Sequence, residues 1–376
     1  MRLQYLDMEY KKLSDIIERH HKRCGTNKAL ISGVDINKQF IPTRANLDGT
    51  DVSKYYLVPP MHFACNLMHI GRDKRIPIAY NSSDENYVVS SAYYVFRIKE
   101  SMRDMIVNEF LYIVFNSNEF DRITWFYSDS SVRGNLKEER FLDIEIPLPP
   151  IEEQQKVVNA WKALRQIKEQ NEAIAAPLMQ MCQSYIQELK HEYEAVEIGG
   201  YIEICDEKNT KNHQLPVMGI NIKKAFMPTA ANTTNINLSS YKIMKKGRFV
   251  FSGMQTGRDM CIRTGLYSND EEALVSPAYT TYTVKEEKGL LSQYLDILFR
   301  RKEMDRLGAF YSDASVRANL EWYRFLQIKI PLPPIEKQQA IVNIYNCANE
   351  AKKIAAEADR MSREACPALI QHVIHN

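Results

Sequence analysis

Two matched tripeptides come closest to an acid–base arrangement in this sequence. Gly71-Arg72-Asp73 returns later in the chain as Gly257-Arg258-Asp259, and an aspartate beside an arginine has the groups needed to move a proton. An acid next to Arg is more often an ion pair or part of a turn. The adjacent His20 and His21 lack a second set of ligands, so a surface or helix-end position is expected rather than a metal site. No nucleophile, general base or metal ligand set is therefore predicted.

Signatures of cofactor chemistry are also missing from the sequence. It contains no G-x-x-x-x-G-K-S/T loop for phosphates. Its Pro-Pro dipeptides lack the preceding Asn or Asp and the following Tyr of an amino-methyltransferase pocket. The cysteines, at positions 24, 65, 182, 205, 261, 347 and 366, never form C-x-x-C, which argues against a zinc site and against a disulfide framework. We expect a chain without cofactor or metal, in a reducing cytoplasm.

Net charge permits nucleic-acid binding but does not indicate it. The 376 residues carry a formal charge of +2. Residues 1–145 hold 20 Lys and Arg against 20 Asp and Glu, and residues 192–329 hold 19 against 17, which is unlike a strongly basic nucleic-acid binder. Basic clusters at 72–75, 223–224, 242–248 and 300–302 are usually solvated surface. We expect neither a signal peptide nor a membrane span, because no sufficiently long apolar run occurs.

The sequence contains an internal repeat of two copies. Residues 127–159 and residues 311–343 are identical at 23 of 33 positions, which chance cannot supply. Further upstream the match continues at an offset of 186, as in residues 33–38 against 219–224. The duplication therefore covers nearly the whole chain, and internal repeats decide how the fold is interpreted.

Each copy has the sequence pattern of an α+β domain. Residues 88–96 and 279–284 are rich in β-branched and aromatic side chains and predict strands. Residues 102–116 and 290–301 space their apolar residues three and four apart and predict helices. The expected fold is a curved sheet with a few helices in each copy.

A long helix is predicted after each Pro-Pro pair. Pro restricts the residue before it and cannot continue a ladder, and Glu152, Glu153 and Glu336 suit the first turn of a helix. The predicted boundaries are 1–145 and 192–329 for the two domains, and 146–191 and 330–376 for the two helical segments. Pro177 and Pro367 fall late in these segments and are expected to kink or restart the helices.

The two helices carry complementary seams, one of large and one of small residues. We expect them to pair as an antiparallel coiled coil in a pseudo-twofold chain. The alternative is that each helix lies on its own domain. The interface residues expected from the spacing are Val157, Trp161, Leu164, Ile174, Leu178, Met181, Ile341, Tyr345, Ala348, Ala355 and Ala358.

The paired motif Ile-Pro-Leu-Pro-Pro-Ile-Glu-x-Gln-Gln, at 146–155 and 330–339, resembles the specificity subunits of type I restriction–modification systems. The Ser-Val-Arg-x-Asn-Leu loops and the Ser-x-Ala-Tyr segments are similar to that family as well. The resemblance covers essentially the whole chain, which is short for such a subunit.

This resemblance implies a DNA-binding role without catalysis. Each copy would be a target recognition domain for one half of a bipartite, asymmetric sequence in double-stranded DNA. The helices would set the spacing and dock two methyltransferase subunits, and restriction/translocase subunits would join that core. No membrane is involved.

The duplication also separates the candidate DNA contacts into two classes. If the two half-sites differ, residues that read bases should differ between the copies, whereas shared residues should hold phosphates or build the fold. The shared candidates are Arg72, Ser131, Arg133, Arg258, Ser315 and Arg317. The divergent candidates are Lys38, Gln39, Arg44, His69, Lys74 and Arg75 in the first copy, and Lys223, Lys224, Met254, Gln255, Thr256 and Arg263 in the second.

Two other function classes compete with this interpretation. A pseudo-symmetric adaptor that binds only proteins would use the same duplicated scaffold, and an enzyme is the third class. DNA binding in the presence of a methyltransferase partner separates the three.

Overall fold

A computed structural model of the chain describes residues 9–26, 29–68, 70–129, 134–230, 236–285, 289–313 and 315–375, with the side chains of 71, 72 and 365–375 left out. The chain divides into two units. The first unit is Met1–Asn171 with Lys353–Asn376, and the second unit is Glu172–Lys352. Each unit therefore takes one end of both long helices.

The first copy begins with short strands and ends in a long helix. Its strands are β1 (Glu9–Lys12), β2 (Ile17–Arg19), β3 (Leu30–Val34), β4 (Phe40–Pro42), β5 (Tyr56–Val58), β6 (Phe63–Cys65), β7 (Ile78–Tyr80), β8 (Tyr87–Val89), β9 (Tyr94–Ile98) and β10 (Glu145–Leu148). Its helices are α1 (Leu13–Ile16), α2 (Ile70–Asp73), α3 (Asn108–Phe115), α4 (Asn118–Tyr127), α5 (Glu138–Leu142) and the long α6 (Ile151–Glu192).

The second copy repeats this order. Its strands are β11 (Ala195–Glu197), β12 (Ile202–Ile204), β13 (Val217–Ile220), β14 (Phe226–Pro228), β15 (Lys242–Met244), β16 (Phe249–Ser252), β17 (Arg263–Leu266), β18 (Ala273–Val275), β19 (Thr280–Val284) and β20 (Lys329–Pro331). Its helices are α7 (Thr256–Asp259), α8 (Ser292–Phe299), α9 (Lys302–Tyr311), α10 (Trp322–Leu326) and the long α11 (Ile335–His375).

Strand order is the same in both units. The first unit has sheets β2-β9-β6-β7 and β4-β3-β8-β5 with a β1-β10 ladder, and the second has β12-β19-β16-β17 and β14-β13-β18-β15 with a β11-β20 ladder. One pair in each unit is parallel, β3 with β8 and β13 with β18, and the remaining pairs are antiparallel. The duplication found in the sequence is thus a duplication of topology.

An aromatic cluster between sheet and helices forms the main core of each unit. In the first unit the Phe63 and Phe96 rings stack with centroids 5.1 Å apart, and the matched rings of the second unit, Phe249 and Tyr282, lie 4.9 Å apart. These rings are fully buried. Truncation of such a residue to alanine costs about 3–5 kcal/mol, so this cluster is a principal stabilising element of its unit.

The predicted short strands and helices are largely present, but one predicted strand is divided into two. The single strand predicted over 88–96 is two strands, β8 and β9, because the Tyr93 N–H donates to the Ser90 carbonyl (3.1 Å) and closes a turn between them. The predicted helices 102–116 and 290–301 appear in shorter form as α3 and α8. The α+β class with sheets, helices and two long helices that pack together is confirmed.

The first Gln of the Glu-x-Gln-Gln motif fastens each long helix to its domain. The buried Gln154 side chain donates to the carbonyls of Pro149 and Met105 (both 2.8 Å) and accepts from the Val107 N–H (3.0 Å). Gln338 makes the corresponding three contacts in the second unit. The motif therefore satisfies a carbonyl of the Pro-Pro turn and two backbone groups of the segment before α3.

The long helices pair in antiparallel fashion within the second unit. Glu192, at the end of α6, forms an ion pair of 2.7 Å with Lys337, near the start of α11. Ten residues earlier in α6, Cys182 contacts the Ile341 carbonyl at 4.0 Å. In the first unit Lys168 of α6 pairs with Asp359 of α11 at 2.8 Å.

The residues buried along the two long helices differ in part from those predicted for their interface. Ile174 and Met181 are about half exposed, and the buried positions are the following residues, Ala175 and Cys182. Trp161 and Leu164 pack against the core of the first unit, as Tyr345 does in the second. The remaining expected residues are buried or, for Leu178, half-buried: Val157, Leu178, Ile341, Ala348, Ala355 and Ala358.

Neither late proline ends its helix. Pro177 lies inside α6 and Pro367 lies inside α11, and both helices continue through these positions. Of the expected kink or restart, the restart was wrong, and the kink stays a prediction. A proline N has no hydrogen to donate, so one intrahelical bond is lost at Pro177 while the flanking turns continue.

Candidate nucleic-acid interface

Two hairpin tips present exposed polar side chains. In the first unit β3 and β4 are joined by residues 35–39, where the Asp35 carboxylate accepts from the Gln39 N–H (3.0 Å). Lys38 adopts a left-handed backbone conformation (φ 63°). Gln39 is exposed at this tip, as Lys223 is at the tip of the β13–β14 hairpin.

A buried ion pair anchors the first hairpin tip. The Lys38 side chain is 4% exposed and its ammonium donates to Asp121 Oδ1 at 2.7 Å. It also donates to the carbonyl of Phe115, at the end of α3. The same Asp121 oxygen accepts from the Ile76 N–H at 3.2 Å, directly after the turn that contains Lys74 and Arg75. One carboxylate therefore fixes two exposed loops relative to each other.

The second unit repeats this anchor atom for atom. Lys224, 4% exposed, donates to Asp305 Oδ1 at 2.6 Å and to the Phe299 carbonyl, and the Ile262 N–H donates to Asp305 at 3.0 Å. Both lysines were expected among the residues that read bases. Their burial and pairing contradict that expectation, because a base contact would require the ammonium to leave its carboxylate. Burial also lowers the pKa of Lys38, while Asp121 opposes this shift.

The turn after β16 brings an arginine and a glutamine together. The exposed Arg258 donates to Gln255 Oε1 at 2.6 Å and to Asp259 Oδ1 at 3.0 Å. Arg263 pairs with the same carboxylate, and the hydrogen bond from Arg258 lowers the pKa of Asp259. Thr256, in contrast, is fully buried and donates to a backbone carbonyl. Thr256 is therefore removed from the candidate base readers.

A closed loop packs against this turn. The Asp313 carboxylate accepts from the N–H groups of Ser315 and Asn319 (both 3.1 Å), and the Ser315 hydroxyl lowers the Asp313 pKa. The Gly257 N–H donates to the loop at Ala318 (2.9 Å), and a Cβ on Gly257 would lie 2.7 Å from the Ala318 Cβ. Ser315 and Arg317 are exposed on this loop.

The matched turn of the first unit presents different side chains. Lys74 lies over the Trp125 ring with its ammonium 4.9 Å from the centroid. Arg75 is 45% exposed and its Nε is 4.0 Å from Asp121 Oδ2. The residues 186 positions later are Met260 and Cys261. The two copies thus share the backbone anchor and differ in what it displays.

Other candidates lie partly outside this arrangement. Arg44 and Met254 are exposed. His69, Ser131 and Arg133 lie outside the described residues, and the side chain of Arg72 is likewise not described.

The basic cluster at 242–248 is neutralised by acidic side chains of the same unit. Glu207 pairs with both Lys245 (2.9 Å) and Arg248 (2.6 Å), which lower its pKa. Lys242 pairs with Asp206 at 2.8 Å. This cluster therefore serves the fold rather than offering free cations to phosphate.

His20 packs against a histidine that the sequence pattern did not connect with it. The rings of His20 and His62 meet edge to face with centroids 4.5 Å apart. Burial and the neighbouring imidazole lower the pKa of His20 to about 4. Among the described residues no group of three or more His, Cys, Asp or Glu is arranged to hold a metal ion. The described helices also include none that is long and apolar enough to cross a membrane.

Sequence comparison decides what this duplicated scaffold is. Residues 5–176 and residues 191–346 each match the type I restriction modification DNA specificity domain. The chain belongs to this family. It is accordingly a DNA specificity subunit of a type I restriction–modification system and not an enzyme, and the adaptor alternative is not favoured. Comparison with curated proteins gave no match.

The chain is also similar to solved structures. The crystal structure of the type I restriction–modification system S subunit from M. genitalium has a TM-score of 0.61 at 10% identity, covering 99% of this chain and 97% of that chain. The HsdS subunit from Thermoanaerobacter tengcongensis has a TM-score of 0.43 at 15% identity, covering 98% and 97%. The first of these shows that the specificity subunit shares its fold with the M. genitalium protein.

Sequence reasoning missed the carboxylates that organise the specificity subunit's loops. Asp121 and Asp305 are 184 positions apart, which is the offset of the strong repeat, and each precedes an Arg. That match was a usable signal, because an acid shared by both copies indicates a scaffold role. What the signal lacked was the partner, since Lys38 is 83 positions away from Asp121 in the chain.

Proposed function

We propose that each unit of this specificity subunit reads one half of a bipartite, asymmetric DNA target. The observation that carries the proposal is a buried ion pair that is the same in both units, beside a turn whose side chains differ between the units. The same buried Lys–Asp pair fixes the turn in both units, yet Lys74 and Arg75 in one unit stand where Met260 and Cys261 stand in the other. A common frame with different exposed side chains suits a protein whose two half-sites differ.

The residues proposed to contact DNA are those on the anchored loops whose side chains are exposed or half-buried, together with Arg44. Arg forms paired hydrogen bonds with guanine and Gln with adenine, so Arg75, Gln39 and Gln255 are the leading base readers. Ser315 and Arg317 belong to a shared loop and are proposed to hold phosphate. The full proposed set is Gln39, Arg44, Lys74 and Arg75 in the first unit, and Lys223, Gln255, Arg258, Arg263, Ser315 and Arg317 in the second.

The long helices are proposed to set the distance between half-sites. With 42 and 41 residues, each helix is about 60 Å long at 1.5 Å per residue. Half-sites one helical turn of DNA apart are separated by roughly 34 Å. Helices of this length can therefore span the spacer, and its length would be a property of the protein.

The partners follow from the same proposal. Two methyltransferase subunits would dock on the specificity subunit, and restriction/translocase subunits would join them. The near-neutral charge supports shared binding, because affinity for phosphates would come partly from the methyltransferases. We place the complex in the cytoplasm, since the described cysteines carry free thiols.

Selection from a random DNA library tests the proposal. The full chain is mixed with its methyltransferase subunit, bound DNA is recovered and sequenced, and Arg75→Ala is carried in parallel. We expect two fixed motifs separated by a spacer of constant length and variable sequence, and Arg75→Ala should relax only one motif. Recovery of a single contiguous motif, or of no motif, would reject the two-half-site proposal.

A further inference from the structure

A phenylalanine is exposed at the same place in both units. Phe126, near the end of α4, is 76% exposed, and Phe310, near the end of α9, is 80% exposed. Each ring makes an edge contact with the tyrosine that follows it, with centroids 5.5 Å apart for Phe126–Tyr127 and 5.7 Å for Phe310–Tyr311. Large exposed apolar side chains that recur at one position require an explanation.

An arginine is hydrogen-bonded to the backbone next to each of these rings. Arg140 donates to the Tyr127 carbonyl at 3.1 Å, and Arg324 donates to the Tyr311 carbonyl at 3.0 Å. We call Phe126, Tyr127 and Arg140 the first aromatic patch, and Phe310, Tyr311 and Arg324 the second aromatic patch. In the first unit the patch borders an open groove of about 1060 Å³ between α4 and the β1–β10 ladder.

The patches lie on the face of their helices that is opposite the turns proposed to contact DNA. Gly308 of α9 packs against Ile262, so closely that a Cβ there would be 2.2 Å from Ile262 Cγ1. Phe310 is two residues further on, about 200° around a helix of 3.6 residues per turn. Thr124 of α4 is buried at the matched position, and Phe126 again follows two residues later.

Duplication also argues against base reading by these rings. A feature identical in both units is also unable to distinguish two half-sites.

We propose that the two aromatic patches dock the two methyltransferase subunits, one on each unit. The proposal rests on the proposed function. Aromatic residues and Arg are the side chains enriched at the centres of protein interfaces, and two identical surfaces suit a partner that binds twice. The complementary site on the methyltransferase would be an apolar socket with an acidic rim facing Arg140 or Arg324.

Native mass spectrometry of the full chain with purified methyltransferase subunit tests this assignment. We expect two bound methyltransferases for the wild type, one for Phe126→Asp and one for Phe310→Asp, and none for the double variant. Each affected site should weaken by at least about 30-fold, as for removal of an interface hot spot. Met105→Asp and Ile236→Asp, two other exposed apolar residues, are matched controls that should keep both partners.

The outcomes separate the patch from the proposed function. Two bound methyltransferases on the wild type and also on the double variant would overturn the patch proposal alone. No binding to the wild type would overturn the proposed partners and the patch proposal with them. Full methyltransferase binding with a uniform loss of DNA affinity in the Phe variants would assign the rings to DNA and overturn protein docking. Unchanged thermal unfolding of the variants is expected, because both rings are exposed.

Discussion

The buried Lys38–Asp121 pair makes a quantitative prediction about the first unit. Asp121→Leu leaves the Lys38 ammonium, 4% exposed, with only the Phe115 carbonyl, and should cost about 4–5 kcal/mol of unfolding free energy. Lys38→Met should cost about 3 kcal/mol, because Asp121 retains the Ile76 N–H at 3.2 Å and Arg75 at 4.0 Å.

The double variant is the informative one. With both charges removed, Lys38→Met/Asp121→Leu places two apolar side chains together, and buried ion pairs replaced in this way are often close to neutral. The remaining loss is the Ile76 N–H without its acceptor, about 1–3 kcal/mol. The double variant should therefore be more stable than Asp121→Leu alone.

Urea unfolding followed by tryptophan fluorescence measures these values. Trp125 and Trp161 report on the first unit, so the variants are made in a Trp322→Phe background that removes the signal of the second. A double variant whose loss equals the sum of the single losses would refute the reasoning, since it would mean that the two charges do not interact energetically.

The second unit supplies the matched comparison for this pair. Lys224 is as buried as Lys38, but the Asp305 side chain is 20% exposed whereas that of Asp121 is 9% exposed. Water can therefore partly solvate Asp305 when its partner is removed. Lys224→Met should cost less than Lys38→Met, measured in a Trp125→Phe/Trp161→Phe background that leaves Trp322 as the reporter of the second unit. An equal or larger loss would show that burial does not set the cost.

Three further changes have defined outcomes. Arg75→Ala should weaken recognition of one half-site by about 1–3 kcal/mol per lost base contact, and equal weakening on all DNA sequences would instead indicate a phosphate contact. Gly253→Ala should lower the free energy of unfolding by at least about 3 kcal/mol, because the new Cβ would lie 1.9 Å from the Leu320 carbonyl oxygen. Thermal unfolding measures this loss, and an unchanged midpoint would contradict the packing described. His20 has a pKa of about 4 in the folded chain, below its ordinary value of 6.5, so its contribution to stability is present above pH 6.5 and is lost as the pH falls towards 4. His20→Gln should make the urea midpoint depend less steeply on pH between pH 7.5 and 5. An unchanged pH dependence would assign this loss of stability to other groups.

The repeat and the helical periodicity predicted the architecture from the sequence. Residues 127–159 against 311–343 gave the duplication, which the sheets repeat strand for strand. Spacing alone could not choose between Ile174 and Ala175, or between Met181 and Cys182, because both pairs keep the seven-residue period. The smaller residue is buried in each pair.

The candidate DNA contacts were harder to predict because pairing over long distances decides which charges are free. Lys38 stands in a polar turn and looks solvated in the sequence, yet Asp121, 83 residues later, buries it. Lys245 and Arg248 likewise meet Glu207, 38 and 41 residues earlier. Periodicity reports only on neighbours along an element, so these partners become visible only in the fold.

The measurement that tests the central claim most directly is the methylation pattern after a domain exchange. Residues 1–145 are replaced by the corresponding domain of another family member, the hybrid is expressed with the methyltransferase, and methylated sites are mapped across a genome. Modular reading by two anchored units predicts a bipartite motif in which one half changes while the other half and the spacer length are retained. A change in both halves, or an unchanged motif, would contradict it.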